Sequence, residues 1–244
     1  MREEAAAPRP FSELLRDVPL TPGRIHVLQA SLDGGPEELT RFFETLTEEE
    51  RERAARLRFE VDRSRFIAAR GLLREALGGY LDLAPREVPF VYAAKGKPSV
   101  ADSKLEFNAS DSGDIAVFAF AWEMPLGIDV EQIRPLDNLE GVGRRFFSPV
   151  EWSAIEAMPP EQRQEAFFRC WTRKEAFVKA TGDGLSYGLK QFDVSVSGPA
   201  RILRIRDDTG EAAHWSMHDL SLPQGYMGAL ACRGTGFKIY ASFR

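Results

Sequence analysis

Apolar positions along this chain change their spacing repeatedly, and the changes lay out its elements. Residues 25–32 alternate with a period of two and predict a strand. Residues 36–46 and 48–57 read as helices, the second opened by Thr47 with Glu50 three residues on, the pairing of a capping box. A longer helical stripe follows over residues 62–77 through Phe66, Ala69, Leu73, Ala76 and Leu77, with Gly78-Gly79 as its expected end. Strands are expected at 88–92, 105–109 and 115–122, set apart by the turn-forming Lys95-Gly96-Lys97-Pro98. These elements make one α+β unit.

The remaining chain runs through a similar order. An apolar approach through Leu126, Ile128 and Val130 predicts a strand, and later strands are expected at 192–196, 202–205, 214–218, 226–232 and 237–242. Arg145-Phe146-Phe147 echoes Arg41-Phe42-Phe43 at an offset of 104, which also pairs Arg65 with Arg169, Arg70 with Lys174, Gly78 with Gly182 and Leu81 with Leu185. The expected organisation is a flexible lead-in over residues 1–23, an N-terminal half over 24–124 and a C-terminal half over 125–244, in one two-lobed unit. The interface of the halves is then the expected cleft, with Glu131 in it.

Two segments carry candidate chemistry. In Gly127-Ile128-Asp129-Val130-Glu131, strand alternation puts Asp129 and Glu131 on one face. From Trp171 to Lys179, a helical reading stacks Trp171, Glu175 and Lys179 one turn apart. Gathered carboxylates repel one another, so they suit a hard divalent cation. The alternative is a solvated strand face beside a surface helix pair. Trp171 reads as core, Cys170 as a small buried apolar group, His214 and His218 as structural, and Gly182-Asp183-Gly184 as the turn after the helix.

Composition narrows the picture. At 244 residues, 43% of them apolar, the chain can bury a sizeable core. A formal charge of −5 argues against binding nucleic acid through bulk electrostatics, so any anion site is local. Two cysteines make no disulfide framework, and no apolar run is long enough for a membrane span, which predicts a soluble, cytoplasmic protein. Most arginines between Arg51 and Arg74 read as solvated helix faces.

The segments GIDVE (127–131), FFSPVEW (146–152) and FFRCWTRKEAFVKATGDGLS (167–186) resemble the 4′-phosphopantetheinyl transferases of the Sfp type. Arg65 to Arg74, Lys95-Gly96-Lys97-Pro98 and Phe107-Asn108-Ala109-Ser110 agree in order, and the resemblance covers about residues 51–196. It implies an α+β fold, a pseudo-dimer of two related halves with coenzyme A between them, and activation of carrier domains of polyketide, nonribosomal peptide and fatty acid synthases. By the same resemblance Asp129, Glu131 and Glu175 hold Mg²⁺, Glu175 takes the proton of the attacking serine, and Lys179 sits near the phosphates. Arg53 and Arg65 are implied for the 3′-phosphate, Lys97 and Pro98 for the adenine pocket, and Ser110 as a donor to a phosphate. Asp111 departs from the family, which usually has histidine there, and a carboxylate repels phosphate unless it is protonated or bridged by an arginine.

The implied activity is Mg-dependent transfer of the phosphopantetheine arm of coenzyme A to an acyl or peptidyl carrier protein, by a monomer without nucleic-acid or membrane partners. Docking is expected along residues 134–152, with Phe146, Phe147 and Trp152 offering apolar contact. The alternatives are a non-catalytic coenzyme A or carrier-binding protein of the same fold and a nucleotide pyrophosphatase. The pathway served, the breadth of specificity and the effect of Asp111 on 3′-phosphate recognition are not legible in the residues.

Overall fold

Alternation along three strands sets the layers of this molecule. The structure, a computed structural model, describes residues 17–182, 184–206 and 209–243. In the first half come β1 (Arg24–Ser31), α1 (Pro36–Thr45), α2 (Glu48–Ala55), α3 (Glu60–Leu81), β2 (Phe90–Tyr92), β3 (Pro98–Val100), β4 (Leu105–Ser112) and β5 (Ile115–Trp122). The second half repeats the order with β6 (Leu126–Gln132), α4 (Leu139–Phe146), α5 (Pro149–Glu156), α6 (Pro160–Thr181), β7 (Phe192–Val194) and β8 (Ile202–Ile205). After a short helix α7 (Thr209–Ala212) come β9 (Trp215–Asp219), β10 (Tyr226–Arg233) and β11 (Lys238–Phe243).

The two larger sheets run β11-β1-β5-β4 and β6-β10-β9, while β2 pairs with β3 and β7 with β8. Ile115, Val117, Ala119 and Ala121 of β5 meet Leu126, Ile128 and Val130 of β6 in a core between the sheets. The intervening residues Ala116, Phe118 and Phe120 face α3, while Ala229 and Ala231 of β10 face α6. The order of layers is therefore helix, sheet, sheet, helix, and both long helices cover outer faces. Because Leu126, Ile128 and Val130 point to the central core, period two sends Gly127, Asp129 and Glu131 to the α6 side.

The internal duplication is carried by buried ion pairs. Both α2 and α5 have 8 residues and open on a capping box, Thr47 with Glu50 and Ser148 with Glu151. Both box glutamates also meet a buried cation of a 22-residue helix, Glu50 with Arg74 of α3 at 2.6 Å and Glu151 with Lys174 of α6 at 2.7 Å. Glu50 and Glu151 stand 101 residues apart, and Arg74 and Lys174 stand 100 apart. The equivalent of Lys174 is thus Arg74, not the Arg70 of the 104-residue register, because the connections between helices differ in length.

Other expectations shift for identifiable reasons. Helix α3 runs through Gly78-Gly79 to a left-handed cap at Asp82, since Gly78 lies against the chain beyond it: a Cβ there would meet the Leu83 carbonyl at 2.7 Å. Pro98, expected in a turn, begins β3. Phe147 and Trp152 are 1% and 5% exposed and belong to the second core, so neither offers a docking surface. Trp171 packs among Phe146, Phe147 and Phe167 as expected. Of the lead-in, residues 1–16 lie outside the described residues, whereas Val18 and Leu20 pack on the first core and the Leu20 carbonyl accepts from Trp122 Nε1. No helix among the described residues is long and apolar enough to cross a membrane.

Candidate active site

Two strands and one helix build the centre of the site. Along β4, Phe107 points to the α3 core, so alternation turns Asn108, Ser110 and Ser112 toward β6. Asn108 Oδ1 accepts the Ile128 N–H at 2.9 Å, Ser110 Oγ donates to Asp129 Oδ1 at 2.9 Å, and Ser112 Oγ donates to Glu131 Oε2 at 2.9 Å. From α6, Lys179 Nζ donates to Asp129 Oδ1 at 2.7 Å and to Ser110 Oγ at 2.8 Å. Ser110, Asp129 and Lys179 thus close a triangle at the seam of the halves.

Glu175, one turn before Lys179, joins this field without a bond to it. Its Oε1 and the second oxygen of Asp129, Oδ2, are buried with no hydrogen-bond partner among the described residues. Burial raises the pKa of Glu175, and the neighbouring Asp129 and then Glu131 add to the rise against the pull of Lys179. Glu131 is raised by burial and by Asp129, Asp129 by burial against the opposing pull of Lys179. One ammonium faces three carboxylates that repel one another. Hard oxygen donors with two buried atoms unpartnered fit a divalent cation in chemistry. As they stand, however, no three His, Cys, Asp or Glu side chains among the described residues are gathered closely enough to hold one.

Two cavities flank β4. A cavity of about 490 Å³ is lined by Arg53, Arg65 and Arg70, by Phe66, Ala69 and Leu73 of the α3 stripe, and by β4 from Ala109 to Ser112. A smaller one of about 250 Å³ lies among Lys97, Pro98, Asn108, Ala109 and Lys179. Ala109 borders both, and the triangle contributes Ser110 to the larger and Lys179 to the smaller.

The basic cavity places the sequence candidates unequally. Arg53 lies over the Phe66 ring at 5.2 Å, and Arg65 pairs with Asp33 at 3.2 Å. Arg70, which reads in the sequence as one of many helix-face arginines, is 13% exposed in its side chain and reaches Glu50 at 3.5 Å, with its Nη1 buried and without a hydrogen-bond partner among the described residues. Asp111 lines the same cavity; burial raises its pKa, opposed by Lys179, Arg53 and Arg70. Three cations therefore act on this carboxylate through space. Lys97 and Pro98 line the smaller cavity, but the Lys97 ammonium donates to the carbonyls of Lys179 at 2.8 Å and Leu126 at 3.1 Å. Arg70, Asn108 and Ser112 are the site residues that sequence reasoning missed, although period two from Ser110 already pointed to the last two.

Comparison with known proteins shows the family. A profile described as the 4′-phosphopantetheinyl transferase superfamily matches residues 125–231, and one described as the N-terminal part of 4′-phosphopantetheinyl transferase matches residues 33–123. Over 218 residues the chain is 37% identical to 4′-phosphopantetheinyl transferase HetI of Nostoc, covering 88% of this chain and 90% of that protein. The chain belongs to the 4′-phosphopantetheinyl transferase superfamily. Within it, the chain is 33% identical over 159 residues to 4′-phosphopantetheinyl transferase Sfp of Bacillus subtilis, covering 65% of this chain and 70% of that one. The α+β architecture and the Sfp-type resemblance hold, and this phosphopantetheinyl transferase is an enzyme whose two profile matches meet between β5 and β6.

Proposed function

We propose that this transferase moves the 4′-phosphopantetheine arm of coenzyme A to a serine of an acyl or peptidyl carrier protein and releases adenosine 3′,5′-bisphosphate. The observation that carries the reading is the Ser110–Asp129–Lys179 triangle between a basic cavity and a smaller one, with oxygens of Asp129 and Glu175 beside it that have no hydrogen-bond partner among the described residues. Arg53, Arg65 and Arg70 suit the phosphates of the nucleotide, since guanidinium forks match phosphate oxygens. Asp111 shares their charge and weakens the grip on the 3′-phosphate. Lys97 and Pro98 border the space assigned to the adenine.

Glu175 is the base. Its raised pKa makes it a stronger proton acceptor than an ordinary glutamate, and it takes the proton of the carrier serine as that oxygen bonds to phosphorus. The phosphorus–oxygen bond to the bisphosphate breaks in the same step, and Lys179 offsets the charge left on the departing group. Asp129, Glu131 and Glu175 are the residues that would hold Mg²⁺. When bound, that ion neutralises pyrophosphate charge. The enzyme acts on these partners in the cytoplasm as a monomer.

Intact mass of an apo carrier protein after incubation with coenzyme A, Mg²⁺ and the enzyme tests this reading. Addition of phosphopantetheine to the carrier supports it. Cleaved coenzyme A without a modified carrier replaces it with a pyrophosphatase, and no change at all leaves a binding protein of the same fold. Asp129→Ala is expected to lose at least about a hundredfold in transfer while remaining folded by circular dichroism.

A further inference from the structure

Lys97 belongs to the first half, yet both hydrogen bonds of its ammonium go to the second. It sits at the end of a tight turn: Gly96 has φ of 83°, its N–H donates to the Ala93 carbonyl at 2.8 Å, and the Ala93 N–H returns to the Lys97 carbonyl at 3.0 Å. The backbone that presents the ammonium is therefore fixed. The two acceptors are the carbonyl of Lys179, in the last turn of α6, and the carbonyl of Leu126, the first residue of β6.

Carbonyls in the last turn of a helix have no partner within it. In α6 the left-handed Gly182 donates its N–H to the Val178 carbonyl, and Lys97 supplies a partner for that of Lys179. A cation there also meets the negative end of the helix dipole. The helix and strand already touch through backbone at Gly127, where a Cβ would lie 2.2 Å from the Ala176 carbonyl and 2.3 Å from the Ala180 nitrogen. The ammonium closes the same seam from outside, and the two tethered residues are Lys179 itself and the one three places before Asp129.

We propose that Lys97 is a positioning residue that caps α6 from the opposite half and thereby holds Lys179 in register with Asp129 and Ser110. The proposal rests on the reading of Lys179 and Asp129 as groups that act on the substrate. It differs from a ligand contact in what it perturbs: a displaced Lys179 slows the chemical step, whereas a lost contact to coenzyme A weakens binding in ground and transition states alike.

The experiment compares wild type, Lys97→Met and Lys97→Arg in three measurements: kcat and KM for coenzyme A with an apo carrier, thermal unfolding, and amide hydrogen exchange over residues 179–184. Methionine keeps the apolar stem without donors, and arginine keeps donors for both carbonyls. For Lys97→Met the expected result is a kcat lowered about ten- to a hundredfold with KM nearly unchanged, and faster exchange in the last turn of α6. Lys97→Arg recovers most of both. A raised KM at preserved kcat overturns the proposal in favour of a ligand contact. So does a lowered melting temperature with unchanged kcat per folded molecule and unchanged exchange in that turn. If wild type modifies no carrier, the functional reading falls separately, and the exchange data still decide whether Lys97 caps the helix.

Discussion

Asp129 divides its two oxygens. Oδ1 accepts from Ser110 and Lys179, while Oδ2 is buried and unpartnered among the described residues, so the residue is half satisfied. The raised pKa values of Asp111, Asp129, Glu131 and Glu175 mean that the folded chain binds these protons more tightly than the unfolded one. Stability from this cluster is therefore present at low pH and is lost as pH rises from about 4 through the raised values. The melting temperature of Asp129→Asn minus that of wild type is expected to grow with pH, and added Mg²⁺ to raise wild type most at high pH. A difference independent of pH would show that burial at Asp129 does not govern the cluster. At Asp111, replacement by His is expected to increase the preference for coenzyme A over its 3′-dephospho form about tenfold, read as a ratio of kcat/KM. An unchanged ratio would free Asp111 from that role. The shared face of Asp129 and Glu131 was legible from period two alone. The company kept by Asp111 was not, because Arg53 and Arg70 lie on other elements, brought to β4 by packing.

At the scale of elements, α6 serves both the core and the site. Just past its middle it carries Arg173, fully buried and forked onto Asp219, and Lys174, which is joined to Glu151. In the sequence, Lys174 looks like any member of the basic signature; its partner stands 23 positions away on a helix that only folding brings near. Lys174→Met is expected to destabilise by about 3–5 kcal/mol, since it leaves the Glu151 carboxylate buried without its cation. Converting Glu151 to Gln in the same chain should return part of that loss in urea unfolding. Equal loss in the single and double variants would mean that the pair is not coupled. Gly127→Ala has no room against α6, and separating helix from strand is expected to cost roughly 1–3 kcal/mol and to lower transfer as Lys179 moves. A fully active, equally stable Gly127→Ala would refute the tight seam.

Across the whole molecule, β11 ties the end of the described chain to its beginning. It pairs in parallel with β1 from Arg24 opposite Lys238 to Gln29 opposite Phe243, and so covers an edge of the first sheet. Beneath it His26 is buried between Tyr80, its hydrogen-bond partner at 2.7 Å, and Tyr240, with its pKa lowered by burial to about 4. Removal of residues 237–244 is expected to lower the melting temperature and promote aggregation through the bared edge, as read by thermal unfolding with light scattering. An unchanged melt would make β11 an ornament. Nothing in the alternation of residues 237–242 says that the strand joins the first sheet rather than the second, since a pleated segment fits either. The sequence by itself determined most of the strands, though not β3, the second helix of the first half with its capping box, the carboxylate face of β6 and the family, because these are local periodicities or contiguous motifs. Only tertiary structure decided that Glu50 and Glu151 meet cations of the long helices, that Arg70 enters the basic cavity, and that Lys97 reaches α6. Those are choices among many chemically similar side chains, and the choice is made by the packing of distant segments.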